Sequence, residues 1–314
     1  MISRDIAKAA ELLKSGELVA IPTETVYGLA ANAFDPKAVL KIYEVKNRPK
    51  FNPLIIHSNS IERFAEWDLI IDNRLRKLAE KFSPGPLTYV ISSSSKIPDV
   101  ITAGQNTVAI RIPNHPVCLE LLSNLDFPLA APSANPSEYV SPTKAEHVDD
   151  QLGNLIPMVL DGGECVVGLE STIIDLSRTK ARLLRLGAIS REEIQDCINE
   201  EIDDLLISDN VIAPGMMKRH YATSIPLYFE DELNGRMLTK KSMGIRFNTY
   251  SNLLPKEQQI LLSNRGDLYE AASKLFACLR ALDKQDVDLI IAERFPNETI
   301  GRAINDRLSR ASSK

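Results

Sequence analysis

The chain has 314 residues, of which 44% are hydrophobic and 25% are charged, and its formal net charge is −5. This length exceeds the size at which a single core keeps growing, so we expect two domains with the composition of a folded globular protein. The negative net charge argues against sequence-independent nucleic-acid binding as the main activity, because that activity requires a dominating basic surface.

Cysteine spacing and apolar run length indicate where the protein resides. Cys118, Cys165, Cys197 and Cys278 are scattered and form no Cys-x-x-Cys pair, which favours free thiols in a reducing compartment over a zinc site. No apolar run approaches the length of a membrane span, and residues 1–5 lead into an amphipathic helix rather than a signal peptide. We therefore expect a cytoplasmic protein.

Helical and strand patterns alternate from the first residues onward. Apolar residues recur at helical spacing in residues 6–13, 38–45, 75–82 and 119–122. Strand patterns lie between or after these helices, at residues 18–20, 54–57, 87–92, 107–112, 128–131, 173–175 and 183–186. The alternation is typical of an α/β domain.

A second block follows an irregular stretch at residues 208–225. Strands are predicted at residues 226–229, 243–247 and 287–292, and helices at 268–282 and 302–308. A small doubly wound domain of about 90 residues fits this pattern. We expect two separate cores, so that a chain cut after residue 205 would fold but be impaired.

Two cations lie where the helix at residues 38–45 gives way to a strand. Lys46 and Arg48 are two residues apart, and Pro49 and Pro53 bias the residues before them towards extended backbone. Arginine offers a planar fork of donors and lysine a compact charge, a pairing suited to oxyanions. The alternative is a solvated helix end whose basic residues complement the helix dipole.

Polar and cationic residues also stand at the ends of other predicted strands. These residues are Thr23, His57, Thr107, Arg111, Ser133, Asn135, Ser171 and Arg185. Strand ends are where open α/β sheets bind ligands. The sequence lacks a phosphate-binding Gly-x-x-x-x-Gly-Lys-Ser/Thr loop, a His-Glu-x-x-His zinc motif, an EF-hand loop and a Gly-x-Ser-x-Gly elbow, so a hydrolase is disfavoured.

In their order along the chain, these segments resemble the threonylcarbamoyl-AMP synthase family, whose catalytic domain is called YrdC-like. The family's Lys-x-Arg pattern corresponds to Lys46 and Arg48, and its Ser-x-Asn pattern to Ser133 and Asn135. Residues 22–29 match its opening signature. The order of so many short segments makes coincidence improbable.

The resemblance extends over roughly residues 4–195 and returns at residues 214–216 and 220–222, in the linker of the two-domain form. It implies a YrdC-like open twisted α/β domain at residues 1–205, a linker or lid at 206–224, and a smaller doubly wound, Rossmann-like α/β domain at 225–314. Ala30 and Glu138 replace glycines of the family pattern, and Thr223 replaces a proline.

The implied reaction joins L-threonine, bicarbonate and ATP into threonylcarbamoyl-AMP and pyrophosphate, the first step in making N6-threonylcarbamoyladenosine at position 37 of transfer RNA. A threonine carbamate must attack the α-phosphorus of ATP, so cations and Mg²⁺ have to bring two anions together. Such catalysis is mostly positioning and electrostatic stabilisation, and it needs no protein nucleophile.

The resemblance also assigns residues to roles, with Lys46 and Arg48 as the catalytic pair. The ATP site would comprise Lys46, Arg48, Asn52, Thr107, Ser133, Asn135, Ser141 and Arg185. The threonine site would comprise Thr23, His57, Arg111, the backbone of Ala131, and Ser171. His220 and Tyr221 would belong to the lid, and no protein ligand to the metal is assigned, because Mg²⁺ would arrive with ATP.

Several of these residues have ordinary structural alternatives. His57 alone would be read as a core histidine, and Thr107 as a residue that favours a strand. Ser141 could belong to the start of a helix at residues 143–148, and Arg185 could be a surface residue.

Two other functions remain open from the sequence. One is a duplex-RNA-binding or ribosome-assembly module of the same fold, which would spread its cations along a face. The other is a carbamoyl-phosphate-using transferase, disfavoured because the accessory domains of such proteins are absent. The synthase reading implies downstream transfer-RNA threonylcarbamoyl transferase proteins as partners, no membrane association and no stable direct nucleic-acid binding.

Overall fold

The computed structural model describes residues 1–203, 221–233 and 238–312. The predicted lid residue His220 and most of the predicted linker lie outside this range. Nowhere in the described part of the chain does a helix have both the length and the apolar character needed to cross a lipid bilayer.

Strands and helices alternate in the N-terminal part, as the sequence predicts. The strands are β1 (Ile2–Ser3), β2 (Val19–Ile21), β3 (Gly28–Asn32), β4 (Ile55–His57), β5 (Leu87–Ser92), β6 (Thr107–Arg111), β7 (Leu129–Ala130), β8 (Met158–Leu160), β9 (Thr172–Asp175) and β10 (Arg182–Arg185). The helices are α1 (Ile6–Lys14), α2 (Pro36–Lys46), α3 (Glu62–Glu66), α4 (Asn73–Phe82), α5 (Asp99–Thr102), α6 (Pro116–Ser123), α7 (Ala145–Leu152) and α8 (Arg191–Ile198).

These strands form one mixed sheet in the order β1-β8-β2-β3-β7-β4-β6-β5-β9-β10. β4 and β6 are parallel, with His57 opposite Arg111 at their carboxyl ends. β7 runs antiparallel to β4, so Ala131, which follows β7, lies at the amino end of β4, where its backbone N–H donates to the carbonyl of Ile55 at 3.1 Å. Central strands of the sheet thus bring residues from distant parts of the sequence together.

The C-terminal part forms a smaller parallel sheet with two long helices. Its elements are β11 (Leu227–Phe229), β12 (Ser242–Arg246), β13 (Gln259–Leu261), β14 (Leu289–Ala292), α9 (Leu268–Asp283) and α10 (Thr299–Ser312). The strand order is β11-β14-β12-β13. The predicted parallel α/β domain is confirmed, and α10 extends beyond the predicted helix at both ends.

A shared hydrophobic cluster joins the two parts, which we call the junction cluster. From the C-terminal part it contains the apolar faces of α9 and α10, and from the N-terminal part Val26, Val140, Leu169 and Ala188. Tyr221 lies in the same cluster and is fully buried. The N-terminal part has large clusters of its own, and the junction cluster adds contacts between the two parts, so the expectation of two separate cores stays a prediction.

Candidate functional site

A cavity opens where the central strands of the large sheet meet the domain junction. It is lined by Thr25, Val26, Arg48, Ile55, His57, Arg111, Ala131, Pro132, Ser133, Glu170, Arg185 and Tyr221. Six of the thirteen residues assigned to ATP or threonine from the sequence border it, namely Arg48, His57, Arg111, Ala131, Ser133 and Arg185. Three of these six are arginines, so the cavity is suited to an anionic ligand.

Arg48 reaches the cavity because helix α2 ends just before it. The Asp35 side chain caps the helix start, Pro36 begins it, and Asn47 ends it in the left-handed conformation with φ 50°. The backbone N–H of Arg48 then donates to the carbonyl of Tyr43 at 2.9 Å, which closes the helix end. Chain geometry, and not only charge, therefore sets the position of Arg48.

The guanidinium of Arg48 is buried and bonded to neutral groups. Nη2 donates to Asn52 Oδ1 at 2.6 Å and to the Pro53 carbonyl at 2.8 Å, and Nε donates to the Asn52 carbonyl at 3.2 Å. Burial lowers its pKa to about 10, so it keeps its charge at neutral pH. Asn52, predicted to bind ATP, acts here by holding Arg48.

Lys46 lies behind the cavity wall and does not line it. Its amine donates to the Ser133 carbonyl at 2.5 Å and also to the Asn135 carbonyl. The side chain is 1% exposed, and burial, with a further effect of the Arg48 charge, holds its pKa well below the usual value. Lys46 thus fastens the loop that carries Ser133 to the end of α2.

Neither of these two cations has an acidic partner in the part of the chain that the structure describes. Lys46 and Arg48 form no ion pair there, whereas Arg111 and Arg307 each pair with a buried glutamate. A buried cation with only neutral acceptors carries a large desolvation cost. An anionic ligand would offset that cost.

His57 and Arg111 face the cavity from adjacent strands. Arg111 Nη2 lies 2.8 Å from Glu24 Oε1, and Nε donates to the Gly85 carbonyl at 3.2 Å. Burial, and then the Arg111 charge, lowers the pKa of His57 to about 3. The imidazole is therefore neutral at physiological pH.

Arg185 is oriented by Ser171. Nε donates to the Ser171 carbonyl at 2.9 Å and Nη2 to its hydroxyl at 3.0 Å. That hydroxyl also lies 2.7 Å from Thr88 Oγ1. Ser171, assigned from the sequence to threonine, is fully buried and supports Arg185 rather than bordering the cavity.

Glu170 lines the cavity, although no role is assigned to it from the sequence. The Ser141 hydroxyl donates to Glu170 Oε1 at 2.6 Å, and Arg307 Nε donates to Glu170 Oε2 at 2.9 Å. Ser141 is fully buried and does not itself line the cavity. Its predicted contact with ATP remains a prediction.

Three other predicted residues lie outside the cavity lining. Thr23 donates to the Val26 carbonyl at 2.6 Å and so shapes the loop in which Thr25 faces the cavity. Asn135 donates to the carbonyls of Pro136 and Tyr139, both at 2.8 Å. Thr107 begins β6, at the end opposite to Arg111, and borders a separate cavity with Asp175 and Arg182.

Tyr221, predicted as part of the lid, does border the cavity. Its ring is fully buried and stacks on Phe276 with the ring centroids 5.4 Å apart. Its backbone has φ 63°, which is uncommon for a residue other than glycine. Glu138, where the family usually has glycine, has φ 69°, and this left-handed backbone accounts for the family's preference.

The carboxylates near the cavity are engaged by other side chains. Among residues 1–203, 221–233 and 238–312 there is no group of three histidine, cysteine or acidic side chains close enough to hold a metal ion. Glu24 pairs with Arg111, and Glu170 is bonded by Ser141 and Arg307.

The low pKa of His57 predicts a dependence of stability on pH. The unfolded chain binds this proton near pH 6.5 and the folded chain only near pH 3, so between these values the unfolded state binds more protons. The free energy of unfolding should therefore fall as pH falls through this window. His57→Gln should make this acid dependence shallower, as measured by urea unfolding across the pH range.

His147 provides the matched control, because its pKa is lowered to about 4, first by burial. His147→Gln should also make the acid dependence of the free energy of unfolding shallower, but only between pH 6.5 and about 4. An unchanged slope in His57→Gln would contradict the burial of a neutral imidazole.

Two family models match the chain, one for each part of the structure. A family model described as telomere recombination matches residues 11–187, and one described as threonylcarbamoyl-AMP synthase, C-terminal domain, matches residues 189–313. The threonylcarbamoyl-AMP synthase of Pyrococcus abyssi is 40% identical, with 97% of this chain and 93% of the relative aligned. The threonylcarbamoyl-AMP synthase of Bacillus subtilis is 39% identical, and the alignment covers 98% of this chain and 92% of the relative.

A solved structure agrees over nearly the whole chain. The crystal structure of P. abyssi Sua5 complexed with L-threonine superposes with a TM-score of 0.88 at 38% identity, covering 99% of this chain and 96% of the other. Both domains of the described structure therefore have counterparts in one experimentally determined protein.

Proposed function

Because the chain belongs to the threonylcarbamoyl-AMP synthase family, we propose that the arginine-lined cavity is where it joins L-threonine, bicarbonate and ATP, releasing pyrophosphate. The observation that carries this assignment is the burial of Arg48 and Lys46 with neutral acceptors only, in the part of the chain that the structure describes. A triphosphate in the cavity would supply the anionic partner that Arg48 lacks, whereas Lys46 lies behind the wall and holds the Ser133 loop.

The residues divide into two neighbouring subsites in this proposal. Arg48, Arg185 and Ser133 face the phosphates of ATP, and Lys46 holds the loop of Ser133 in place. Arg111 and His57 face threonine, since a guanidinium fork reads a carboxylate bidentately and a neutral imidazole adds no charge. The carbamate of threonine and the α-phosphate then meet among fixed cations, which offset the repulsion between the two anions.

The source of the metal ion, the cellular compartment and the downstream partners are also proposed. The described carboxylates do not form a metal site of their own, so we propose that Mg²⁺ enters bound to the ATP phosphates, where it neutralises charge. The four cysteines are free thiols, which supports a reducing cytoplasm. Downstream proteins that transfer the threonylcarbamoyl group to transfer RNA would consume the product.

The RNA-binding alternative lacks comparable support. Arg48, Arg111 and Arg185 are each less than 10% exposed and converge on one cavity. Duplex RNA requires cations spread over an accessible face. The aligned relatives are synthases over almost their entire length.

The deciding experiment measures pyrophosphate release from ATP by the full chain with Mg²⁺, bicarbonate and L-threonine. Release should require both threonine and bicarbonate. Serine should be a poor substrate, because it lacks a methyl group that is worth about 1–3 kcal/mol in a fitted pocket. Release that continues unchanged without threonine would refute the proposal.

Arg111→Ala should weaken the apparent affinity for threonine roughly 10- to 100-fold, because a hydrogen-bonded charge contact is lost. Affinity for ATP should change less. Calorimetric titration with each substrate separates the two effects. A larger loss of ATP affinity than of threonine affinity would contradict the assignment of Arg111 to the threonine subsite.

This substitution also leaves Glu24 buried without Arg111, so a control is needed. The double variant Arg111→Ala/Glu24→Gln removes both charges of the pair. It should recover thermal stability relative to Arg111→Ala but not threonine affinity.

A further inference from the structure

Helix α9 of the C-terminal domain carries a buried arginine whose hydrogen bonds cross the domain junction. Arg280 is 3% exposed, and burial lowers its pKa to about 10, so it stays charged at neutral pH. Its four hydrogen bonds to described residues are all accepted by the N-terminal domain. Nη2 donates to the Val140 carbonyl at 2.5 Å and to Gln151 Oε1 at 2.8 Å, Nε to the Ser141 carbonyl at 3.3 Å, and Nη1 to the His147 carbonyl at 3.3 Å.

A second side chain of α9 holds the same stretch of the N-terminal domain. The Tyr139 hydroxyl donates to Asp283 Oδ2, and the Tyr139 ring centroid lies 5.1 Å from the guanidinium carbon of Arg280. Asp283 Oδ1 also accepts from the backbone N–H of Ser224 at 2.8 Å and of Ile225 at 3.2 Å. A carboxylate at the carboxyl end of a helix opposes the helix dipole, so these contacts, and not helix stability, account for Asp283.

The stretch that α9 holds is the far end of a loop that borders the cavity. We call residues 133–142 the cavity loop, because its first residue, Ser133, lines the cavity. Lys46 holds the near end by donating to the Ser133 carbonyl at 2.5 Å, and its own carbonyl accepts from the backbone N–H of Ser137 at 2.8 Å. The cavity loop therefore lies between one buried cation from each domain, and both cations bind backbone carbonyls.

Two hydrogen bonds connect the far end of the cavity loop to the cavity. The Ser141 hydroxyl donates to Oε1 of the cavity-lining Glu170 at 2.6 Å. The side-chain amide of Asn135 donates to the Tyr139 carbonyl at 2.8 Å, which ties the far end of the loop to its near end. A displacement of residues 139–141 would therefore be passed on to the cavity wall.

We propose that Arg280 is a positioning residue of the synthase site, which holds the far end of the cavity loop so that Ser133 stays in place on the cavity wall. This inference rests on the proposed assignment of Ser133 to ATP. It gives the C-terminal domain a share in nucleotide binding. Threonine depends less on the cavity loop, because His57 and Arg111 lie at the ends of β4 and β6.

Amide hydrogen exchange tests the positioning directly. The backbone N–H of Tyr27 donates to the Pro142 carbonyl at 2.9 Å, so its exchange reports on the far end of the cavity loop. Arg280→Gln should speed exchange of this amide by about tenfold or more, because a segment with fewer hydrogen bonds opens more readily. The N–H of Leu176, which donates to the Val90 carbonyl at 2.8 Å, is the internal reference and should be affected less.

Calorimetric titration of the full chain with ATP and with threonine tests the consequence for binding. Arg280→Gln should weaken ATP binding by about tenfold or more, because small displacements of a group that positions a ligand are costly. Threonine affinity should change less. Arg280→Lys keeps the positive charge and should lose less ATP affinity, although a single amine cannot span the Ser141 and His147 carbonyls.

Arg246 provides the matched control for loss of a buried arginine. It is 1% exposed and is bonded to Glu230, Ser251 and Gln259 within the C-terminal domain. Arg246→Gln should lower thermal stability. It should leave both substrate affinities, and the exchange of the Tyr27 amide relative to that of Leu176, as in the wild type.

Several results would overturn the inference. They are Tyr27 exchange in Arg280→Gln that is unchanged or rises only as much as that of Leu176, ATP affinity within about threefold of wild type, or an equal loss of threonine affinity. Should Arg280→Gln fail to fold, wild-type Tyr27 exchange in Arg280→Lys would overturn it instead. A wild-type chain that binds ATP but releases no pyrophosphate refutes the proposed reaction alone, and the exchange measurement still decides whether Arg280 holds the loop.

Discussion

Arg48→Ala is expected to lower the rate of pyrophosphate formation by about 100-fold or more, the effect of removing one preorganised charge from a transition state. Arg48 is 8% exposed, fixed by three hydrogen bonds to Asn52 and Pro53, and borders the cavity. It needs no rearrangement when negative charge develops on the phosphates. The measurement is steady-state pyrophosphate release at saturating threonine and bicarbonate.

The control for this variant is Arg74→Ala. Arg74 also donates to backbone carbonyls, those of Leu176, Arg178 and Thr179, but it lies outside the cavity lining. Its loss should cost stability and leave turnover near wild type. Arg48→Ala activity within about threefold of wild type would show that Arg48 serves only the fold.

Lys46→Ala is expected to reduce turnover by a similar factor, about 100-fold, and in addition to destabilise the protein. The amine is the donor to two carbonyls of the loop that carries Ser133. Alanine leaves both acceptors and a void in a site that is 1% exposed, at a cost of about 2–5 kcal/mol of unfolding free energy. Pyrophosphate assays and urea unfolding measure the two effects.

Lys46→Met separates volume from charge, because it fills most of the space without supplying a donor. It should regain part of the stability but not the turnover. Wild-type turnover in Lys46→Met would mean that Lys46 acts through packing alone.

The positions of Lys46 and Arg48 could be predicted from the sequence because their determinants are local. Helical periodicity, a terminal cation pair and Pro49 together place the end of α2 at Lys46. The sequence does not distinguish a side chain that lines a cavity from one that holds the lining in place. That difference depends on where the Ser133 and Asn135 carbonyls fall, and these are 87 and 89 residues from Lys46.

Thr23 and Thr25 show a further limit of what can be predicted from the sequence. Both hydroxyls belong to the same Pro-Thr-Glu-Thr segment, and strand-end reasoning selects either equally well. The structure turns Thr25 to the cavity because Thr23 is engaged by the Val26 carbonyl. A hydrogen bond inside the loop, not residue type, decides which threonine faces the cavity.

The pairing of Arg307 with Glu170 could not be predicted for a different reason. Its partner Glu170 is 137 residues away, and neither residue lies in a pattern that indicates pairing. The sequence shows two blocks of elements separated by an irregular stretch, which suggests independence. The packing of α9 and α10 against Val26, Val140 and Leu169 brings the two residues together.

The junction cluster has a consequence for how the protein melts. Since apolar residues of both domains share one buried cluster, separating the domains would expose the faces of α9 and α10 together with Val140 and Leu169. The free-energy cost of exposing these apolar residues couples the two halves, so that they unfold cooperatively. A ligand that binds the cavity of the native state should therefore raise the melting temperature of the C-terminal half as well, although every cavity-lining residue except Tyr221 lies in the N-terminal half.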